Sequence, residues 1–459
     1  MNGQRRFHIL FALHYLRYGL LLCLVPMVRA LLAFDLASLL TALSQDAAIL
    51  IVCGVLALLL WRGTAFWLEE GRLVVEQGLL YRSHRAFSRL GIAALEISRP
   101  LYCRILGASR VTLYFKNNLS PHTYSVYLYK KDAQAVADVL LPVRKDASVF
   151  APTGFERLTF VMLSANIITS SAFAVWGLSK LDEVFAQDLQ KIAINNLAKL
   201  ELLVEKILPS GLAFLATLLF AVISFTFLYA LLHTAGFSVC RNGGVIISRG
   251  GFITKIERRV LVASVSACDV CVTPVARLLR RYPVYISAGS FRGGDLPVLV
   301  YKKGQERTVE VLLPNFSPPG GPLCTPARKS PVQYLWKPGT LLALSLALCA
   351  VAFAAMPDLL PVLFVPVALS LVSLLISLEG VFREGFYKNK NRTLSVCFTR
   401  FFTRHEVCVL TPDLAYTLLE NPFSVSGGRC DLVVNLPSRL HYKMRGVLQY
   451  AAHEIPFTL

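Results

Sequence analysis

The sequence predicts a membrane α + β fold: six transmembrane helices in three hairpins, each hairpin followed by a small antiparallel β-rich domain. Three observations predict it. Apolar runs recur in pairs, and about 20 such residues suffice for a helix to cross a bilayer. Glycines seven residues apart, Gly71 with Gly78 and Gly244 with Gly251, bracket strand-like runs just after the first and second pairs. The chain is 55% apolar with mean hydropathy +0.56 and carries only 16% charged residues, against roughly 25% in soluble domains.

The first hairpin occupies residues 1–67. Its opening span lies within Ile9–Leu40, blurred by Arg17, Arg29 and Asp35, and residues up to Arg17 read as an amphipathic approach whose arginine snorkels to the interface. The return helix is expected over Ala47–Leu60, with Trp61 and Trp67 as interfacial aromatics. Residues 68–145 form the first β-rich domain. Leu73-Val74-Val75 suits a strand, and Lys130–Leu141 suits a closing helix because Ala133, Val136, Val139 and Leu140 share a face.

The second hairpin, residues 155–234, has spans near Leu158–Leu178 and Leu208–His233. An amphipathic helix at 179–207 separates them, read as a packed helix in preference to a partner-binding lid. Residues 235–314 repeat the β-rich domain, Val245-Ile246-Ile247 matching the first strand and Glu306–Leu313 the closing helix. A Pro- and Gly-rich linker at 315–331 precedes the third hairpin, 332–378, with spans Pro338–Met356 and Leu359–Leu378 and a turn at Met356-Pro357-Asp358. The third β-rich domain, 379–459, is degenerate: Arg400 stands where the second glycine belongs, and Leu440–Ala452 is read as its closing helix.

Charge sets the orientation. The blocks Arg62–Arg157, Ala235–Lys337 and 379–459 carry net charges of +6, +10 and +3. By the positive-inside rule the three domains and both termini are cytoplasmic and the protein is a multi-pass cell-membrane protein. A surface of this kind, within a chain of net charge +19, favours the lipid bilayer and its anionic headgroups as partners. Nucleic acid is not expected, because no aromatic residues interleave with the basic ones to stack bases. Eleven cysteines are scattered, several within apolar spans, which is no disulfide framework.

The unit of two spans followed by L-x-V-x-x-G-L-L-x-R and then P-L-x-x-x-x-x-G resembles the bacterial membrane-anchored pleckstrin-homology-like (PH-like) family. In the first copy Leu73, Val75, Gly78, Leu79, Leu80, Arg82, Pro100, Leu101 and Gly107 carry the pattern; Gly251 and Pro274 repeat it in the second, where Arg281 or Tyr282 falls near the Gly107 position. The resemblance implies a seven-stranded, strongly bent antiparallel sheet capped by a C-terminal helix in each copy. It also implies a hetero-oligomer with a shorter relative of one hairpin and one PH-like domain, and a role in envelope stress or bacteriocin resistance.

Chemistry is sparse. Cys268-Asp269-Val270-Cys271 is a lone C-x-x-C, His405-Glu406 and His453-Glu454 lack a second histidine, and Gly289-Ser290-Phe291-Arg292-Gly293 misses the G-x-S-x-G spacing. No enzyme activity, cofactor or metal is expected. Basic residues cluster after the first strand pair of two copies: Arg82, Arg85 and Arg89, then Lys255, Arg258 and Arg259. They are the candidate lipid-headgroup contacts, by charge-assisted hydrogen bonding; solvated faces beside an anionic membrane are the favoured alternative. The leading expectation is a non-enzymatic inner-membrane scaffold or sensor, set against a six-span transporter or lipid-handling conduit and a phospholipid-binding module.

Overall fold

Glu70 (φ 45°) and Gly71 (φ 76°) both adopt left-handed conformations, as a two-residue hairpin turn of the primed type requires. They join β1 (Ala65–Glu69) to β2 (Arg72–Gln77), and Gly78 (φ 122°) ends β2 before β3 (Ser83–Ser88). The first glycine pair therefore brackets a strand as the sequence indicates. The second pair brackets its counterpart over Val245–Gly250.

The computed structural model describes residues 4–13, 15–16, 23, 36–79, 81–116, 123–143, 148–164, 198–202, 204, 206, 210–293, 296–302, 304, 307–314, 316, 331–355, 360–389, 393–400, 403–410, 415–420, 428–435 and 441–449. Arg17, Arg29, Asp35, most of the 179–207 helix, most of the 315–331 linker and the Met356–Asp358 turn lie outside them, as does the second-hairpin span beyond Ser164.

In the first copy, helix α1 (Leu36–Arg62) leads into β1, β2 and β3. Then come β4 (Ile92–Arg99), a short helix α2 (Leu101–Ile105), β5 (Ala108–Phe115), β6 (Thr123–Tyr129) and helix α3 (Lys130–Leu140). The connection that follows holds β7 (Ser148–Phe150), α4 (Gly154–Ser164) and α5 (Ser210–His233). The second copy repeats the order as β8 (Ser238–Asn242), β9 (Val245–Gly250), β10 (Lys255–Leu261), β11 (Val265–Val272), α6 (Pro274–Leu279), β12 (Arg281–Ala288), β13 (Leu299–Lys302) and α7 (Arg307–Leu312). Helices α8 (Pro331–Ala355) and α9 (Leu360–Arg383) precede the segment expected as the third copy, which holds β14 (Gly385–Asn389), β15 (Thr393–Arg400), β16 (Thr403–Leu410), β17 (Ala415–Leu419), β18 (Arg429–Asn435) and β19 (His441–Leu448).

Each copy thus has six described strands, not seven. In the first two copies the proline of the P-L and P-V motifs starts a short helix: Pro100 is the N-cap of α2 and Pro274 the first residue of α6. Proline suits a helix start, where its missing N–H costs nothing.

The chain divides into two compact units. Unit 1 comprises Met1–Ala147, Arg241–Arg249 and Ile253–Ser264; unit 2 comprises Ser148–Cys240, Gly250–Phe252 and Val265–Leu459. In unit 1, β1-β2-β3 form one antiparallel sheet, and β6-β5-β4 continue through β10 and β9 of the second copy in another. The joint runs from Arg99↔Lys255 to Ala94↔Val260. Unit 2 repeats the device: β13-β12-β11 continue through β16, β15 and β14 of the third copy, in register from Ala267↔Val409 to Val272↔Arg404. Consecutive copies therefore share sheets.

The core of unit 1 follows strand alternation: Leu73 and Val75 of β2, Val111 and Leu113 of β5, and Val126 and Leu128 of β6 are buried. Helix α3 packs on β2, β4, β5 and β6 through Ala133, Val136, Ala137 and Leu140. Each large apolar side chain among these contributes about 1.5–3 kcal/mol by leaving water. In unit 2, Val407 and Val409 of β16 pack with Leu432, Val434, Tyr442, Met444 and Val447 of β18 and β19. That cluster corrects the expected closing helix at Leu440–Ala452. His441–Leu448 is a strand, because Tyr442 and Met444 bury at a spacing of two rather than three or four.

Among the described residues three helical segments are long and apolar enough to cross a membrane: Leu43–Arg62, Leu335–Ala354 and Leu363–Phe382. Phe220–His233 is a shorter apolar one. Helix α1 begins at Leu36, well before the expected Ala47, and absorbs Asp46, which is buried within it. Likewise α8 starts at Pro331 and carries Pro338 inside it. Helices α8 and α9 meet through Ser345 Oγ and Ser370 Oγ at 3.2 Å, a small-residue contact of the kind that holds helices together without a hydrophobic driving force.

Candidate functional site

An open cleft of about 610 Å³ in unit 1 is lined by Phe11, Leu13, Tyr15, Gln77, Arg85, Arg110 and, from β6, Thr123, Tyr124, Ser125 and Tyr127. Strand β6 is the edge of its sheet, so the cleft runs along an edge that the N-terminal segment partly closes.

That segment is tied down at both ends. Arg5 exchanges two backbone hydrogen bonds with Phe66 of β1, each 2.8 Å, and the His8 N–H donates to Tyr127 O of β6 at 2.8 Å. The chain thereby bridges the edges of the two sheets. His8 Nδ1 accepts from the Leu10 N–H at 3.2 Å while Nε2 faces Leu106 O at 3.1 Å, an arrangement that places the ring proton on Nε2. Trp61 Nε1 donates to Phe7 O at 3.0 Å, and Arg5 pairs with Asp132 of α3. Trp61 is therefore a structural anchor of the cleft wall.

Arg85 pairs with Val75 across β2 and β3, so it shares the inward face of that sheet with buried Val75 and with Ser83 and Phe87. Toward the open end the apolar side chains give way to polar ones. Gln77 Nε2 donates to the Tyr124 hydroxyl at 2.6 Å, linking the two sheets. Phe87 packs on Tyr124 with ring centroids 4.8 Å apart. Burial pushes the Tyr124 phenol above its ordinary value and the Arg85 charge pulls it down; burial prevails, and the hydroxyl stays protonated. Arg110 lies on β5 opposite Tyr127.

Among the described residues neither Arg85 nor Arg110 has a carboxylate partner. Two guanidiniums, three Tyr, a Ser and a Thr hydroxyl beside Phe11 and Leu13 suit an anion carrying an apolar tail. Among the described residues the lining includes no His, Cys or carboxylate.

The six candidate headgroup contacts separate. Arg82 is exposed and sits 3.4 Å from Glu76; Arg89 is exposed on the turn after β3; Lys255 is exposed at the start of β10. Only Arg85 lines the cleft. Arg258 is engaged with Glu96 at 2.7 Å. Arg259 is 2% exposed, and its guanidinium is spent on Asp138, Glu257, Gln134 and Leu141 O. The expectation that Arg258 and Arg259 face headgroups gives way because of what each side chain meets: Arg258 pairs with Glu96 of the neighbouring β4, and Arg259 is buried against α3. Sequence reasoning missed Arg110, Gln77 and the aromatic wall. Arg110 stands alone on β5, and nothing in its neighbours marks it as different from any solvent-facing strand position.

Residues 20–144 match the family model described as Bacterial PH domain. No curated protein and no solved structure matches the chain.

Proposed function

We propose, with the Bacterial PH domain match over residues 20–144 as premise, that the protein is a non-enzymatic membrane-anchored scaffold and sensor. Its first-copy cleft receives the phosphate of an anionic phospholipid. The observation that carries this reading is the placement of Arg85 and Arg110, without carboxylate partners among the described residues, in one cleft that also presents Phe11 and Leu13. The segment supplying Phe11, Leu13 and Tyr15 is also the one that leads, in sequence, into the first hairpin. Six spans, with domains and termini in the cytoplasm, complete the architecture. Assembly with a shorter relative and a part in envelope stress or bacteriocin resistance belong to the same reading and rest on the family resemblance.

The test uses the full chain in detergent micelles, titrated with short-chain phosphatidylglycerol, with short-chain phosphatidylcholine and with inorganic phosphate. Phosphatidylglycerol binding that falls about tenfold or more in an Arg85→Gln/Arg110→Gln variant is expected, since a hydrogen bond to a charged group contributes about 1.5–3 kcal/mol. Equal binding by the variant, or by the zwitterionic lipid, refutes the site. The cellular role is read from survival of a strain lacking the protein against membrane-active peptides, where selective hypersensitivity rescued by the intact gene is expected.

A further inference from the structure

The lone C-x-x-C is divided by its strand. Cys268 and Cys271 both lie on β11, three residues apart, and so point to opposite faces. Cys268 stands opposite Cys408, whereas Cys271 stands opposite His405 of β16 and shares its face with Asp269. What sequence keeps 134 residues apart, the pairing of the second copy with the third brings together: Cys271 Sγ lies 3.5 Å from His405 Nδ1. Asp269 Oδ2 and Oδ1 lie 3.0 and 3.2 Å from the same nitrogen. One donor atom from each of the three residues falls within 4.8 Å of the others.

The geometry points to a binding site for a zinc-class divalent cation, held by Asp269, Cys271 and His405 and joining the second copy to the third. Three features of the cluster argue for it. First, the thiol and the carboxylate converge on a single ring nitrogen. A nucleophile–base–acid relay would use both nitrogens of the histidine, one for the thiol and one for the carboxylate; convergence on one instead leaves three donors facing a common point. Second, the separations suit the ion. Zn–S near 2.3 Å and Zn–N or Zn–O near 2.0–2.2 Å at tetrahedral angles require donors roughly 3.3–3.7 Å apart; the two separations to His405 Nδ1 already lie close to that range, and the third pair is within 4.8 Å. Third, the histidine is held in place: its ring stacks on Phe398 at 5.0 Å with an interplanar angle of 9°, and Phe398 in turn packs on Tyr442.

The donor set chooses the metal class. A sulfur, an imidazole nitrogen and one carboxylate favour zinc-like ions over magnesium or calcium, which need shells of oxygen. Three protein ligands leave a fourth position for water. Binding releases the proton of the Cys271 thiol to solvent, and the imidazole that ligates through Nδ1 keeps its ring proton on Nε2, so one proton is released per ion taken up. The two strands that supply the ligands belong to different copies, and the ion would fasten the third copy's first strands to the second copy's sheet.

The full-length protein in detergent, stripped by a chelator and dialysed, is titrated with Co²⁺, then with Zn²⁺, while absorbance and thermal unfolding are followed. One equivalent of cobalt giving a thiolate-to-cobalt charge-transfer band, discharged by zinc, together with a rise in Tm on zinc addition, is expected. Cys271→Ser and His405→Gln abolish the band; Asp269→Asn shifts it and weakens binding. Far-ultraviolet circular dichroism establishes that each variant is folded. A folded wild-type protein that gives no band overturns the proposal. So does a band that survives in folded Cys271→Ser or His405→Gln, because another of the eleven cysteines would then hold the metal.

Discussion

The guanidinium of Arg259 lies 2.7 Å from Asp138 Oδ1, carrying a charge from β10 of the second copy to α3 of the first. The same side chain meets Glu257 at 2.9 Å and donates to the Leu141 carbonyl at 2.9 Å. Asp138 is 61% exposed, so that arm is screened by water and contributes little. The buried arms decide the outcome. Arg259→Ala strands the Leu141 carbonyl and leaves the largely buried Glu257 with Arg249 as its remaining partner, at a cost of about 2–4 kcal/mol. Arg259→Lys recovers only part of it, because an ammonium lacks the planar fork. Denaturant midpoints of the full chain, followed by tryptophan fluorescence, measure both.

Acid should act on the same joint. Burial pushes the Glu257 carboxyl up, but the charges of Arg259 and Arg249 outweigh it and hold the group below its ordinary 4.5. A carboxyl lowered by folding contributes stability above its unfolded-state value, and that stability is lost as pH falls through the folded value. Stability of the wild-type chain therefore declines on acidification below about pH 5. Glu257→Gln is less stable at neutral pH and shows a shallower decline, as thermal unfolding across a pH series will record.

One copy carries a residue where the other has glycine. After α2 the chain turns at Gly107 with φ 73°, and after α6 at Arg280 with φ 52°, so Arg280, not Arg281 or Tyr282, fills the Gly107 position. Its side chain is exposed. A non-glycine residue in this region costs about 1–2 kcal/mol, against which glycine's extra entropy weighs about 0.5–1. Arg280→Gly should stabilise the chain by about 0.5–1 kcal/mol, read as a small rise in Tm.

Two glycines of the first copy should differ under the same substitution. A Cβ at Gly78 would meet Tyr81 O at 1.9 Å, whereas one at Gly71 meets nothing within 4 Å. Both have positive φ. Gly71→Ala therefore costs only the backbone strain, about 1 kcal/mol, while Gly78→Ala must also displace the turn and costs more, about 2–4 kcal/mol. Parallel thermal melts of the two variants establish the order.

Excising the first copy should fail to give a sound domain. Residues 68–145 lack both the bridge that Arg5 and His8 make to β1 and β6 and the β10 partner of β4. The fragment exposes a long apolar edge, Ile92 to Ile97, and is expected to self-associate. Adding residues 1–67 does not cure this; light scattering of both fragments against the full chain tests it.

Much of the local structure is legible in the sequence. Gly71 and Gly78 announce β2, and the three- and four-residue spacing of Ala133, Val136 and Leu140 announces α3. What stays hidden is non-local. The apolar run from Ile92 to Leu95 tells that β4 is buried on both faces but not which strand lies beside it, so nothing in β4 or β10 declares their pairing. Arg259 misleads for the same reason, since a run of basic residues reads as surface until its neighbours are known. The third copy misleads differently: Leu440–Ala452 has helical composition, but the pair Tyr442 and Met444 keeps strand spacing. Of the cleft, Arg85 is visible as one of a basic cluster. Arg110, Gln77 and Tyr124 are not, because the cleft forms only where two sheet edges and the N-terminal segment meet.

Shared sheets impose a timetable on synthesis. Strand β4 ends at Arg99, and its partner β10 begins only at Lys255. At about 5–20 residues per second, the ribosome needs roughly 8–30 s to deliver the missing neighbour. For that interval the nascent first domain presents an open strand edge, long after its own helix has been made. The same wait recurs between β11 and β16. The newborn chain is thus most vulnerable midway through each round of translation, when any other strand offered to that edge competes with its own.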